Sequence, residues 1–183
     1  MAVFETFETM QAGSECLYSL ETIESALDVM NEAIHAEFAQ KQPIILGVMR
    51  GALPMMGYLL PRFRFYAEVD YVHASRYQKQ LNTTELQWIH EPHVSLHGRH
   101  VLLLDDILDK GLTLKAIKEK CLALGAVDVK IAVLCQKMID DFTPAIAADF
   151  IALTVPDAYV FGYGMDCDNG WRNAPGIFAV ANP

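Results

Sequence analysis

Long apolar runs are missing from this chain of 183 residues. No stretch approaches the roughly 18 uninterrupted apolar residues that a membrane helix needs, so no span is expected. The start, Met1 to Glu8, is acidic and carries no apolar core, which predicts no secretory leader. Cysteine is scarce. Cys16, Cys121, Cys135 and Cys167 lie far apart with no Cys-x-x-Cys pair, and they read as reduced structural thiols in a cytoplasmic protein. Positive charge is short as well: 14 Lys and Arg against 23 Asp and Glu leave a net charge of −9. That balance argues against a nucleic-acid or anionic-membrane surface. An anionic small molecule stays admissible, because a few local cations or a bound metal can reverse the local field. No Gly-x-x-x-x-Gly-Lys loop is present, which excludes a nucleotide hydrolase of that kind. Repeats, low-complexity tracts and linkers are absent too. What the chain does have is apolar material, 52% of its residues, enough for a sizeable core in one domain.

Over 20–39 the apolar residues Ile23, Leu27, Met30, Ile34 and Phe38 keep helical spacing. Ser19 suits the N-cap, and Glu21 and Glu24 sit near the positive end of the dipole. Pro43 ends that segment. Residues 44–49 read as a buried strand, Arg50-Gly51-Ala52 as a tight junction, and 54–60 as a helix with Pro54 in its first turn. A second strand is expected over 68–77. Residues 78–100 are polar and irregular, either a long loop or an exposed hairpin. Further strands are expected at 101–104, 129–134 and 150–155, with a helix from Leu112 stopped by Gly125. Strands alternating with helices predict an open, mostly parallel α/β sheet that binds ligands at its strands' carboxyl ends. Arg50, residues 105–113, Gln136-Lys137 and Pro156-Asp157 fall there.

Residues 101–113, Val-Leu-Leu-Leu-Asp-Asp-Ile-Leu-Asp-Lys-Gly-Leu-Thr, carry the most chemistry. A buried strand runs into Asp105 and Asp106. Asp109 then opens a short loop closed by Gly111 and Thr113 at a helix N-terminus. Free N–H groups and the dipole there favour an anion, and glycine lets the backbone approach it. An isolated acid pair would read as two solvated carboxylates beside a capped helix. The strand, third acid and Gly/Thr loop in this order instead suit a ribose 5-phosphate, with acids for sugar hydroxyls or a metal and amides for the phosphate.

Residues 103–113 resemble the phosphoribosyl-diphosphate motif of type I phosphoribosyltransferases. Val155-Pro156-Asp157-Ala158-Tyr159-Val160-Phe161-Gly162-Tyr163-Gly164-Met165-Asp166, followed by Trp171-Arg172-Asn173, resembles the purine-closing segment of hypoxanthine and hypoxanthine-guanine phosphoribosyltransferases. Residues 16–18, 73–77 and 172–180 look like a proteobacterial branch of that family. The resemblance implies a mostly parallel sheet flanked by helices in one domain, 1–183. Its core would span about 40–155, and a small hood would come from about 1–39 and 156–183. It implies Mg²⁺-dependent transfer of a phosphoribosyl group to a 6-oxopurine, in a cytoplasmic homodimer or homotetramer.

By the same resemblance Asp109 is the general base near purine N7, and Asp105 and Asp106 serve the ribose hydroxyls, directly or through Mg²⁺. Asp109, Lys110, Gly111, Leu112 and Thr113 cradle the 5′-phosphate. Lys137, Tyr159, Val160 and Asp166 form the purine side, with Asp166 also reaching a second Mg²⁺. Arg50, Gly51 and Arg172 hold pyrophosphate. Ser75, Arg76 and Tyr77 open a mobile lid loop. Without the resemblance Lys137 would read as a solvated strand tip, and Tyr159 equally as a core aromatic. Three departures stand out. Arg50-Gly51-Ala52 replaces the common Lys-Gly-Gly, Lys110 stands where threonine is common, and Cys167 replaces an aromatic, which would open the site or expose the thiol to oxidation. His90, His93, His97 and His100 read as solvated loop histidines rather than a metal site, since Pro92 and Gly98 break any helix that would align them. Two alternatives remain: a guanine- or xanthine-preferring relative, and a regulatory sensor of phosphoribosyl diphosphate without significant transferase activity.

Overall fold

Five successive residues, Ile44–Val48 (β2), lie fully out of solvent. A strand buried on both faces belongs at the centre of a parallel sheet. In the computed structural model, which describes residues 4–78 and 84–181, β2 is flanked by Glu68–Gln78 (β3) and His100–Leu108 (β5). Outside β5 follow Asp128–Met138 (β6) and Phe150–Pro156 (β7), all parallel, and outside β3 lies the antiparallel Thr84–His90 (β4). The sheet order is β4-β3-β2-β5-β6-β7.

Alternation along the strands divides the core in two. Ile45, Leu102, Leu104, Ala132 and Leu134 meet the helices Leu20–Phe38 (α2) and Leu53–Leu59 (α3) on one face. Ile44, Leu46, Leu103, Ile131 and Val133 meet Leu114, Ile117 and Cys121 of Leu112–Ala123 (α4) on the other. Ser19 caps α2 as expected, its hydroxyl accepting from Thr22 N at 3.3 Å. Gly125 ends α4 at φ 91, where an added Cβ would lie 2.6 Å from the His97 ring.

Three expectations change. Strands β5 and β6 run four residues beyond their predicted ends because pairing continues through Asp105↔Val133, Ile107↔Cys135 and Leu108↔Gln136. The acid pair therefore lies inside a strand rather than after one. Of the two readings of 78–100, the hairpin is the one observed. Ser75, Arg76 and Tyr77 belong to β3, paired with Gln87, Leu86 and Glu85, so they do not open a loop. The rest of the expected lid, 79–83, falls outside the described residues. Leu96 is buried beyond the hairpin, and Asp70 Oδ2 holds that return by accepting from His93 N and Val94 N at 2.6 and 3.0 Å. His90 stacks on Tyr71 with ring centroids 4.1 Å apart.

A second sheet, absent from the sequence reading, joins Ser14–Ser19 (β1), Gly176–Val180 (β9) and Val160–Phe161 (β8) in the order β1-β9-β8. Helix α1 (Phe7–Ala12) precedes it. Ile177 and Ala179 from this sheet share the core of α2, while Phe4, Met10, Phe161, Cys167, Ala174 and Phe178 form a small core of their own. Helix α2 itself packs on the large sheet, so within 1–39 the small sheet draws only on β1. Cys167 is buried in that small core, and burial pushes its thiol up, which removes the expected exposure to oxidation. Among the described residues no helix is long and apolar enough to cross a membrane.

Candidate active site

The carboxyl ends of β5, β6 and β7 meet the N-terminus of α4 and the segment around β8. Asp105 is buried, and its Oδ1 accepts from Asp106 N at 3.0 Å. Burial, then the neighbouring Asp106 carboxylate, raises the Asp105 carboxyl well above the ordinary range. Burial also raises Asp106, opposed by its hydrogen bonds and the Arg172 charge. Two such acids side by side want a cation, and their hard oxygen donors suit Mg²⁺.

Gly51 explains how Asp106 fits. A Cβ at Gly51 would lie 1.9 Å from Asp106 Oδ2, and one at Gly164 would lie 2.1 Å from Gly51 O. Junction, acid and hood are thus stacked through two glycines. The Met49–Arg50 peptide beside them is cis, and Arg50 itself is exposed. Arg172 clasps the segment after β8: Nη1 donates to Gly164 O at 2.6 Å and Nη2 to Asp166 Oδ1 at 2.7 Å. Its Nε is buried with no partner. Asp166 Oδ2 accepts from Asn169 N at 3.0 Å. Among the described residues no three His, Cys, Asp or Glu side chains gather as a metal cluster, and Asp166 lines one cavity with Asp106.

Two cavities open here. One, of about 310 Å³, is lined by Asp105, Asp106, Ile107 and residues 109–114. Gly111 caps α4 at φ 73, a left-handed turn that favours glycine, and the bond from Ala145 N to Lys110 O at 2.9 Å braces the loop. The other, of about 290 Å³, is lined by Asp106, Ile107, Asp109, Lys137, Tyr159, Val160, Met165 and Asp166. Asp106, Ile107 and Asp109 line both, so the two cavities adjoin along this stretch. Lys137, only 15% exposed, directs its ammonium to within 4.0 Å of Asp109 Oδ2 and 3.8 Å of Asp157 Oδ1. Tyr159 is 43% exposed at the cavity wall, not a core aromatic, and its hydroxyl donates to Asp166 O at 3.3 Å.

Comparison with known proteins agrees with this geometry. Residues 15–169 match the phosphoribosyl transferase domain. The chain belongs to the phosphoribosyl transferase family. The family match takes in both cavities and stops short of Arg172. The chain is 34% identical to the hypoxanthine-guanine phosphoribosyltransferase of Bacillus subtilis (strain 168), over 88% of this chain and 89% of that protein. It is 32% identical to the protein of that name from Streptococcus pneumoniae (strain ATCC BAA-255 / R6), again over 88% and 89%. Its fold superposes on a Staphylococcus aureus hypoxanthine phosphoribosyltransferase with a TM-score of 0.88, at 26% identity over 97% of each chain. Asp157 was placed at the ligand end of its strand by the sequence but was given no role there. Its position at the end of a predicted strand was visible, but its approach to Lys137 depends on how β6 and β7 align.

Proposed function

We propose that this family member is a hypoxanthine(-guanine) phosphoribosyltransferase of purine salvage. It moves the 5-phosphoribosyl group of phosphoribosyl diphosphate to hypoxanthine, and to guanine, yielding IMP or GMP and pyrophosphate. The observation that carries this reading is Asp109 in the lining both of a cavity at the N-terminus of α4 and of a cavity that presents the largely buried Lys137. The relatives' names, which attach transferase activity to proteins aligned over most of this chain, weigh against the sensor alternative.

The division of labour is the one the resemblance implies, and the donors and acceptors available fit it. Backbone amides of residues 110–113 bind the 5′-phosphate at the start of α4. The Asp105–Asp106 pair orients the ribose hydroxyls and, with its hard oxygens, would hold Mg²⁺. The ion, when bound, offsets charge on the departing pyrophosphate. Lys137 donates to the purine 6-oxo group; an ammonium has three donors and no acceptor, so it pairs with a carbonyl and not with an amino group. Tyr159 stacks on the base, Val160 contributes backbone groups, and Asp109 takes the proton lost from the purine. In this reading Arg50, Gly51 and Arg172 serve pyrophosphate, and Asp166 the purine and a second ion. The reading includes a homodimer or homotetramer in the cytoplasm, and a catalytic core of about 40–155 beneath a hood.

The test is product formation from phosphoribosyl diphosphate, Mg²⁺ and hypoxanthine, for the wild type and Asp109→Asn. Nucleotide and pyrophosphate should appear one to one, and the variant's turnover should fall roughly 100-fold or more with modest change in KM, the scale of a lost general base. A variant with wild-type turnover would remove Asp109 from that role.

A further inference from the structure

Lys137 has two carboxylate neighbours, and the chemistry above uses only one of them. Its ammonium lies 4.0 Å from Asp109 Oδ2 and 3.8 Å from Asp157 Oδ1. A lysine with a single acid beside it settles onto that acid. Were Asp109 the lone partner, the ion pair would occupy the lone pairs that must receive the purine proton. It would also turn the ammonium away from the base's 6-oxo group. A second acid at nearly the same distance removes that preference.

The fold fixes Asp157 where it can do this. Strands β6 and β7 pair in parallel with Lys137 opposite Val155 and Met138 opposite Pro156. Residues directly opposite share a face, so Lys137 and Val155 do, and Asp157 follows just past the end of β7. The bond from Ala158 N to Pro156 O at 2.8 Å closes a tight turn immediately after the strand, which keeps Asp157 beside its end. The side chain is 60% exposed, so its role lies in this contact and not in packing.

We propose that Asp157 is a positioning residue that holds the Lys137 ammonium off Asp109, leaving the lysine to read the 6-oxo group and the aspartate to accept the proton. The inference rests on the transferase reading. The experiment is steady-state kinetics on the intact protein as wild type, Asp157→Asn, Asp157→Glu, Lys137→Met and the double variant Asp157→Asn with Lys137→Met. Asp157→Asn should raise KM for hypoxanthine about threefold to fivefold, the scale of a partly exposed ion pair, and leave KM for phosphoribosyl diphosphate unchanged. Asp157→Glu should keep most of the wild-type value. In the Lys137→Met background, Asp157→Asn should add nothing, because it acts only through the lysine. Additive effects in the double variant, or an unchanged hypoxanthine KM in Asp157→Asn, overturn the proposal alone. A wild type without transferase activity, or Lys137→Met with the wild-type hypoxanthine KM, overturns it together with the reading on which it rests.

Discussion

Asp105 and Asp106 are costly residues for the free protein. Asp105 is buried and Asp106 half-buried, they adjoin, and desolvation raises both carboxyls. The sign follows from proton binding: a carboxyl raised in the folded state holds more protons there than in the unfolded chain. Stability from this pair is therefore present at low pH and is lost as pH rises from the unfolded carboxylate value through the raised one. Asp105→Asn keeps the oxygen that accepts from Asp106 N while removing one charge. It should raise the melting temperature of the metal-free protein, by about 2–4 °C for each kcal/mol relieved, and more at pH 8 than at pH 5. Transferase activity should fall, a trade of function against stability. Equal or lower melting temperatures for the variant at pH 8 would sink this account of the pair. At this scale the sequence was informative where a residue's neighbours are its neighbours in the chain, as in 105–113. It was silent where they are not. Nothing in Gly51, Gly164 or Asp157 announces that they touch Asp106, Gly51 and Lys137.

Elements were legible in proportion to their burial. Strands β2, β5 and β6 are runs of buried apolar residues and could be found from hydrophobicity alone. The carboxyl ends of β5 and β6 were placed too early, because charge at Asp105 and Lys137 masks pairing that the backbone continues. Strand β1 is six residues without clean alternation, and its partner β9 lies more than 150 residues away, so no local signal marks either. The junctions between elements yield a paired prediction. An added methyl at Gly51 meets a carboxylate, the movable end of Asp106, whereas one at Gly164 meets backbone at φ 110. Gly51→Ala should cost little stability but displace Asp106 and raise KM for phosphoribosyl diphosphate. Gly164→Ala should destabilise by about 1–3 kcal/mol through backbone strain. Denaturant titration beside kinetics separates the two, and the same stability loss in both variants would contradict the distinction.

For the molecule as a whole, the α/β class, the parallel sheet and the ligand end of its strands followed from period and order. The small sheet did not. It gathers residues 14–19, 160–161 and 176–180 from opposite ends of the chain and sets Val160 and Tyr159 beside Lys137. The acceptor side of the site is thus a product of closure, and the donor side of one contiguous loop. The central claim is that Lys137 selects a 6-oxo group while Asp109 bridges the two sides. It is tested most directly by kcat/KM with hypoxanthine, guanine, xanthine and adenine at saturating phosphoribosyl diphosphate and Mg²⁺. The account predicts turnover of hypoxanthine, accompanied by guanine, and a loss of several powers of ten with adenine, since a buried donor facing an amino group is left unpaired. Adenine turned over as well as hypoxanthine would contradict it, as would no nucleotide formed from any base.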